Sequence, residues 1–375
     1  MTSNQARLTS GPVGTHLVKM TVPVFFGVFA MMLQGFADAF FIGMVGDREL
    51  AALSFAFPIL MIVTSVAIGL GAGTSSVVAR AIGANKVERA ARLATDSLLL
   101  SFLITAAFCF VGILSIDFLF TALGAPSDMI PLIKEYMQVL YVGVPFVVVG
   151  MVGMSSMRAT GDTRLPSLLM IIASITNILL DPIMIFGFGP IPAMGLKGAA
   201  MAALIARGAI FLGTLYLMHE RIHMLSFRRP KLDELRSSWG DILHVGIPAA
   251  GTNAIIPIAT AVIIAMLAQY GTEAVAGFGV ASRIESLVLV MFYALSAVIG
   301  PFIGQNLSAA KAERIHAALR LCSRFCLLSG AVIAVFLLFF SDFLPSLFSK
   351  NPTVTETATL FLLIAPISYG AYGIV

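Results

Sequence analysis

Two amide–acid pairs interrupt runs of sequence that are otherwise apolar. Gln34 and Asp38 stand four residues apart, and so do Asn177 and Asp181 in the stretch SITNILLDPIMIFG. Four-residue spacing places both members of each pair on one face of a helix. Carboxylates flanked by amides are suited to holding a proton or Na⁺. Two desolvated like charges resist joint ionisation, and oxygen ligands match a hard cation. Pro23 precedes Asp38 by fifteen residues and Pro182 follows Asp181 directly. A proline deletes a helical hydrogen bond and kinks the chain, so a bend near Pro23 that responds to the charge on Asp38 is one expectation. Fixed kinks are the alternative, since prolines are common in membrane helices.

Glu285, Arg207 and Arg283 are the other ionisable residues deep within apolar runs. A charge at the centre of a membrane helix costs about 2.5–3.5 kcal/mol on insertion scales, so each requires a partner, a cavity or a proton. Arg207 is a candidate ion-pair partner for one of the acids. Arg283 and Glu285 lie two residues apart and do not face each other. All three are candidates to line a substrate cavity, where Glu285 would attract a cation. A further pattern, HERIH at 219–223, fits the H-E-x-x-H zinc-protease helix, in which two histidines bind Zn²⁺ beside a glutamate base. It runs into a basic segment, and His16, His244 and His316 lie in distant parts of the chain.

The elements that must position these groups follow from composition. The chain is 59% apolar and 11% charged, with a mean hydropathy of +0.98, against about half and about a quarter in soluble domains. It is therefore expected to be an all-α polytopic membrane protein, because its apolar runs reach the ~20 residues of a spanning helix, not the ~10 of a barrel strand. Breaks at Gly, Pro and charge give ten segments near 16–44, 51–82, 93–120, 132–156, 165–188, 195–218, 240–268, 275–305, 318–345 and 354–375. Lys86, Arg89 and Arg92 follow the second. Arg158 and Arg164 follow the fourth, Arg221, Arg228, Arg229, Lys231 and Arg236 the sixth, and Lys311, Arg314 and Arg320 the eighth. Loops after odd segments hold only Arg48 and Lys350. The excess of Lys and Arg puts the N-terminus and the even loops in the cytoplasm. Segments one and five then run outward and carry Asp38 and Asp181 to one depth, about 10 Å below the outer surface.

Neither composition nor motif calls for a cofactor or a nucleic-acid partner, and no cleavable signal peptide is evident. Cys109, Cys322 and Cys326 all sit in apolar runs, which argues against a disulfide framework. The expected partners are the bilayer and a small-molecule substrate, with the protein a monomer.

The chain also repeats itself. Pro23 and Pro248, Gly46 and Gly271, Lys86 and Lys311, Glu88 and Glu313, and Arg89 and Arg314 are each 225 positions apart. An offset of six segments relates two halves by an axis along the membrane normal, a transporter signature with the substrate site between the halves. The expected organisation is an N-terminal lobe over 1–220, a linker over 221–239 and a C-terminal lobe over 240–375. The partners of segments five and six would fall beyond Val375, so the second lobe is expected to lack two of six helices through C-terminal truncation. The partner of Asp38 is Ile263, which makes the halves chemically unequal.

MRATGDTRLPSLLMIIASITNILLDPIMIFGFG, with its GDTR loop followed by N-x-x-x-D-P, resembles the multidrug and toxic compound extrusion (MATE) family. QGFADAFFIGMVGDRELAALS and GLGAGTSSVVARAIGANKVERAA extend the resemblance over the whole chain. It implies twelve helices in two six-helix lobes and efflux of drug-like, often cationic, compounds from a bacterial inner membrane in exchange for H⁺ or Na⁺. It places the ion at Asp38, Asn177 and Asp181, with Pro23 as the bend point; Gln34 and Pro182 are supporting candidates by their own position beside the acids. Ala203 stands where relatives often carry a threonine that helps line the site, which leaves H⁺ and Na⁺ both open. A lipid-linked sugar flippase of the same two-lobe plan is the alternative within membranes, and it would need a more cationic cavity. The zinc protease is the alternative from another class.

Overall fold

In the computed structural model the described residues are 6–122, 124–228 and 231–374, with only the backbone described at Asp47, Leu50, Ala51 and Ser54. Arg229 of the basic loop lies outside them. Among the described residues the regular structure is helical, apart from one isolated bridge between Phe188 and Ile191. α1 (Val13–Val45), α2 (Asp47–Gly83), α3 (Val87–Ala122), α4 (Ile130–Ala159), α5 (Arg164–Phe186) and α6 (Gly195–Glu220) form the first half. α7 (Leu232–Leu267), α8 (Thr272–Val288), α9 (Val290–Ser308), α10 (Ala312–Phe340), α11 (Phe343–Ser346), α12 (Pro352–Ile364) and α13 (Tyr369–Tyr372) form the second. Among the described residues ten stretches are long and apolar enough to cross a membrane, one for each expected segment. Most helices extend several residues past the expected bounds at their basic ends, where amphipathic turns continue the helix into the charged loops. The eighth segment is not one helix. It breaks at Leu289, whose N–H still bonds Glu285 O at 3.0 Å while Phe292 N turns back to Leu289 O at 2.9 Å.

The repeat is written into the backbone. Ala84 N bonds Arg80 O and Lys86 N bonds Ala81 O at the end of α2. Ala309 N bonds Gln305 O and Lys311 N bonds Asn306 O at the end of α9. Each bond has its counterpart 225 positions on. Asn85 and Ala310 occupy the same left-handed conformation, at φ 58° and 55°. α3 and α10 begin at positions with the same offset.

The halves touch at their basic ends, where α2 passes α7 and α9 on a seam of small residues. A side chain at Gly69 would come within 2.5 Å of Ala250 Cβ, and one at Gly73 within 3.1 Å of Gly246 N. One at Gly83 would lie 2.7 Å from Gln305 Cα, and one at Gly304 2.7 Å from Ala79 Cβ. Such backbone approach is how membrane helices gain contact where lipid supplies no hydrophobic drive. The far end of α7 is uncovered instead, with Ile255, Ile258, Val262 and Met266 all more than half exposed. The halves thus close at the basic end and diverge from it.

The connection between halves is held to α3. Arg89 pairs with Asp241 at 3.7 Å and donates to Ser238 Oγ at 3.1 Å. Trp239 Nε1 donates to Asp96 O, and Ser226 N to Thr95 Oγ1. Asp96, fully buried, pairs with Arg92 one turn earlier at 2.5 Å. The GDTR loop has local work as well. Gly161 takes φ 90°, and Asp162 Oδ1 accepts from the N–H groups of Arg164 and Leu165 at the start of α5.

Candidate functional site

α1 and α5 pack side by side along much of their length. Gly27 makes this possible, since a side chain there would sit 3.2 Å from Met170 Sδ and 3.3 Å from Ser167 Cα. α1 runs unbroken through Pro23, and α5 through Pro182; neither proline ends its helix. Asp38 lies seven residues before the end of α1 and Asp181 five before the end of α5. At about 1.5 Å per residue the two share a level, as their depths in the sequence require.

The side chains form a continuous polar chain across the two helices. Gln34 Nε2 donates to Asn177 Oδ1. Asn177 Nδ2 donates to Asp181 Oδ1 at 3.1 Å. The Asp181 carboxyl in turn reaches that of Asp38. Asn177 is fully buried and Asp181 nearly so. The order of donors matters. Gln34 fixes the Asn177 amide with its oxygen toward α1, so the NH₂ points at Asp181. The chain then ends on two carboxyls that face each other, and Asp38 Oδ1 and Asp181 Oδ2 are buried with no hydrogen-bond donor among the described residues. Two opposed acceptors suit a shared proton or a small oxygen-liganded cation, which is the chemistry that fits this donor set.

Three further groups stand at the pocket. Arg207 of α6 lies within electrostatic reach of Asp38 and of Tyr136 on α4. It packs over Gly143, where a side chain would be 3.6 Å from its Nη1. Among the described residues it makes no direct ion pair with either acid, so a buried Arg207–Asp pair is not what this structure contains. Tyr136 is buried and within reach of both acids. Ser174, also buried, has a hydroxyl without a partner among the described residues and lies on the Asn177–Asp181 face of α5. Reasoning from sequence missed Tyr136 and Ser174. The 174/177/181 spacing, a single helical stripe, was the signal for the second. Nothing local marks the first.

Glu285 and Arg283 lie elsewhere. Glu285 is half-buried on α8 and faces Tyr369, near the Tyr293 and Tyr372 hydroxyls, which are 3.4 Å apart. Arg283 is exposed on a different face of α8. Neither joins the Asp38–Asp181 chain. The HERIH stretch does not form the helical motif. α6 ends at Glu220, and His223 sits beyond it at φ 53°, so the two histidines do not share a helix face. His219 is instead edge-on to Phe227.

The MatE family model matches residues 23–183 and 248–375. The chain is 41% identical over 368 residues to a protein of Shewanella oneidensis named FAD transporter, covering 98% of this chain and 81% of that one. It is 27% identical over 335 residues to the probable multidrug resistance protein YoeA of Bacillus subtilis, covering 88% of this chain and 72% of the relative. A crystal structure of the Vibrio cholerae MATE transporter VcmN, in an aspartate-to-asparagine variant, superposes with a TM-score of 0.92 at 32% identity, over 96% of this chain and 81% of that one.

Proposed function

The chain belongs to the MatE family of transporters, and from that premise we propose that it is a secondary active exporter. In this reading H⁺ or Na⁺ drives small organic molecules out of a bacterial cell. The coupling ion binds at Asp38, Asn177 and Asp181 in the N-terminal lobe, residues 1–220. Gln34 orients Asn177, Pro23 and Pro182 make the helices compliant, and the substrate passes between this lobe and residues 240–375. The N-terminus faces the cytoplasm of an inner-membrane protein that works as a monomer. One observation carries the reading: the Asp38 and Asp181 carboxyls face one another, and each has one buried oxygen with no donor among the described residues. An ion arriving from outside occupies the pair, the lobes rearrange and the substrate leaves; release of the ion inward resets the cycle.

The test uses the protein in sealed vesicles with H⁺ and Na⁺ gradients collapsed one at a time. Uphill export that survives loss of one gradient and stops with the other identifies the ion. Export that survives loss of both overturns the reading. Gln34→Ala is expected to raise the half-saturating concentration of that ion about 5–10-fold with little change in maximal rate. It removes the neutral hydrogen bond, worth about 1 kcal/mol, that pre-orients Asn177.

A second reading concerns the cargo, and the identity to the FAD transporter favours it, 41% against 27% for YoeA. A flavin dinucleotide is a large aromatic anion. Arg283, exposed on α8, would serve its phosphates if it faces water between the halves, where a charge within a membrane protein is tolerated. Counterflow of FAD against that of a lipophilic cation such as tetraphenylphosphonium separates the readings. FAD transport lowered about tenfold by Arg283→Ala supports the anionic cargo; transport of the cation alone removes it.

A further inference from the structure

We propose that residues 6–11 form a detachable latch that belongs by sequence to the first half, is fastened to the second, and must release for the basic face to open. The proposal goes beyond the transport reading and relies on it only for the premise that the halves move apart.

The segment ahead of α1 has little regular structure, so its carbonyls need donors from elsewhere. The second half supplies them. Arg314 of α10 donates from Nη2 to Leu8 O at 2.9 Å and from Nη1 to Gly11 O at 2.6 Å. Lys311 Nζ donates to Thr9 O at 2.8 Å, and Asn306 Nδ2 to Leu8 O at 3.1 Å. Leu8 N donates in return to Gln305 Oε1 at 3.1 Å. Arg314 is itself held by Asn306 Oδ1, at 2.9 Å from Nε, and lies 5.7 Å above the Phe302 ring. These partners are some 300 positions apart in the chain.

The contact is more than a surface tie. Leu8 is only 2% exposed and belongs to one apolar cluster with Met20 and Val24 of α1 and Val298 and Phe302 of α9. Its side chain also covers Gly161 in the loop between α4 and α5, 3.2 Å from where a side chain there would begin. Gln305, fully buried, completes the junction by donating to Ala159 O at 2.7 Å. One leucine thus plugs the point where α1, the α4–α5 loop and α9 converge, and charge-assisted bonds hold it down. The carbonyls of Thr9 and Gly11 lie at the exposed rim, where water replaces a lost donor at modest net cost. The tie between α3 and residues 226–241 differs in kind, since Trp239 Nε1 and Ser226 N reach part-buried acceptors on α3, Asp96 O and Thr95 Oγ1. The two fastenings divide the work: one fixes the connection, and the other lets go.

The test places spin labels at Lys86, in the loop after α2, and Glu313, in the first turn of α10, both exposed and neither a latch contact. In wild type the closed distance is expected to dominate. Arg314→Ala with Asn306→Ala should populate a longer distance about tenfold more, since several charge-assisted bonds are lost. Arg314→Lys, with one point of attachment in place of a fork, should fall between. An unchanged distance distribution in a folded double variant overturns the latch whatever its transport. As a complement that does not depend on weakening the protein, Thr9→Cys and Lys311→Cys are joined by a short reducible crosslinker in a background with Cys109, Cys322 and Cys326 replaced by alanine. Export is expected to stop on crosslinking and return on reduction. Export at the uncrosslinked rate would overturn the latch while leaving the transport reading intact; absence of export before crosslinking would count against the transport reading alone.

Discussion

Asp38→Asn and Asp181→Asn are each expected to reduce gradient-driven export at least about 100-fold, to the level of passive leak, while leaving the protein folded. Asparagine matches aspartate in shape and can still accept from the Asn177 Nδ2 that reaches Asp181 Oδ1 at 3.1 Å. It cannot take up a proton or balance a cation, so the variant loses the energy source and keeps the architecture. Stability gives an independent check. Two desolvated carboxyls set against each other cannot both be charged without cost, and either substitution relieves that conflict. The melting temperature of the purified protein should therefore hold or rise as export falls. Asn177→Ala makes the contrasting control. It removes a fully buried amide and leaves Asp181 without its donor, so it should weaken export and stability together. Near-wild-type export in both aspartate variants would remove this pocket from the mechanism.

Gly73→Val is expected to have the other large effect, on the arrangement of the two halves. The first side-chain carbon at position 73 would press on the backbone of α7 around Ile242 and Gly246, and backbone cannot move aside as a flexible side chain can. Overpacking of this kind costs about 1–3 kcal/mol, and each 1.4 kcal/mol is a factor of ten in an equilibrium. The halves should be forced apart at the basic end, so the closed form loses its dominance and the label distance between positions 86 and 313 lengthens. Gly300→Ala on α9 is the control, because nothing lies within 4 Å of its new methyl group. If both variants show the wild-type distance, the small-residue seam does not set the closed state.

Much of this architecture can be read from the sequence, because a bilayer leaves few options for backbone hydrogen bonds. Ten spans follow from apolar runs and their Gly, Pro and charge breaks, and the 225-residue register from matched positions such as Pro23 and Pro248 or Arg89 and Arg314. The 34/38 and 177/181 spacings also anticipate a shared pocket, since helical periodicity and equal depth are local properties. The break at Leu289 is not legible, because no Gly or Pro stands there and the turn is set by packing. Tyr136 joins the pocket from α4 through tertiary approach alone. The same holds for Leu8 and Arg314, whose meeting depends on the seating of two halves and leaves no trace in spacing. HERIH shows the converse. Five residues carry the right letters, but the helix ends after the second and the geometry they imply never forms.

The backbone of the second half copies the first bond for bond around Asn85 and Ala310, yet Ile263 stands where Asp38 would recur. On the proposed reading, then, one copy holds the fuel line and the other is free of it. Changes of cargo between relatives are accordingly expected to accumulate in residues 240–375, where a new substrate contact puts no constraint on the two acids of the first half. A hybrid joining this first half to the second half of a cousin should keep its own driving ion and take on the cousin's diet.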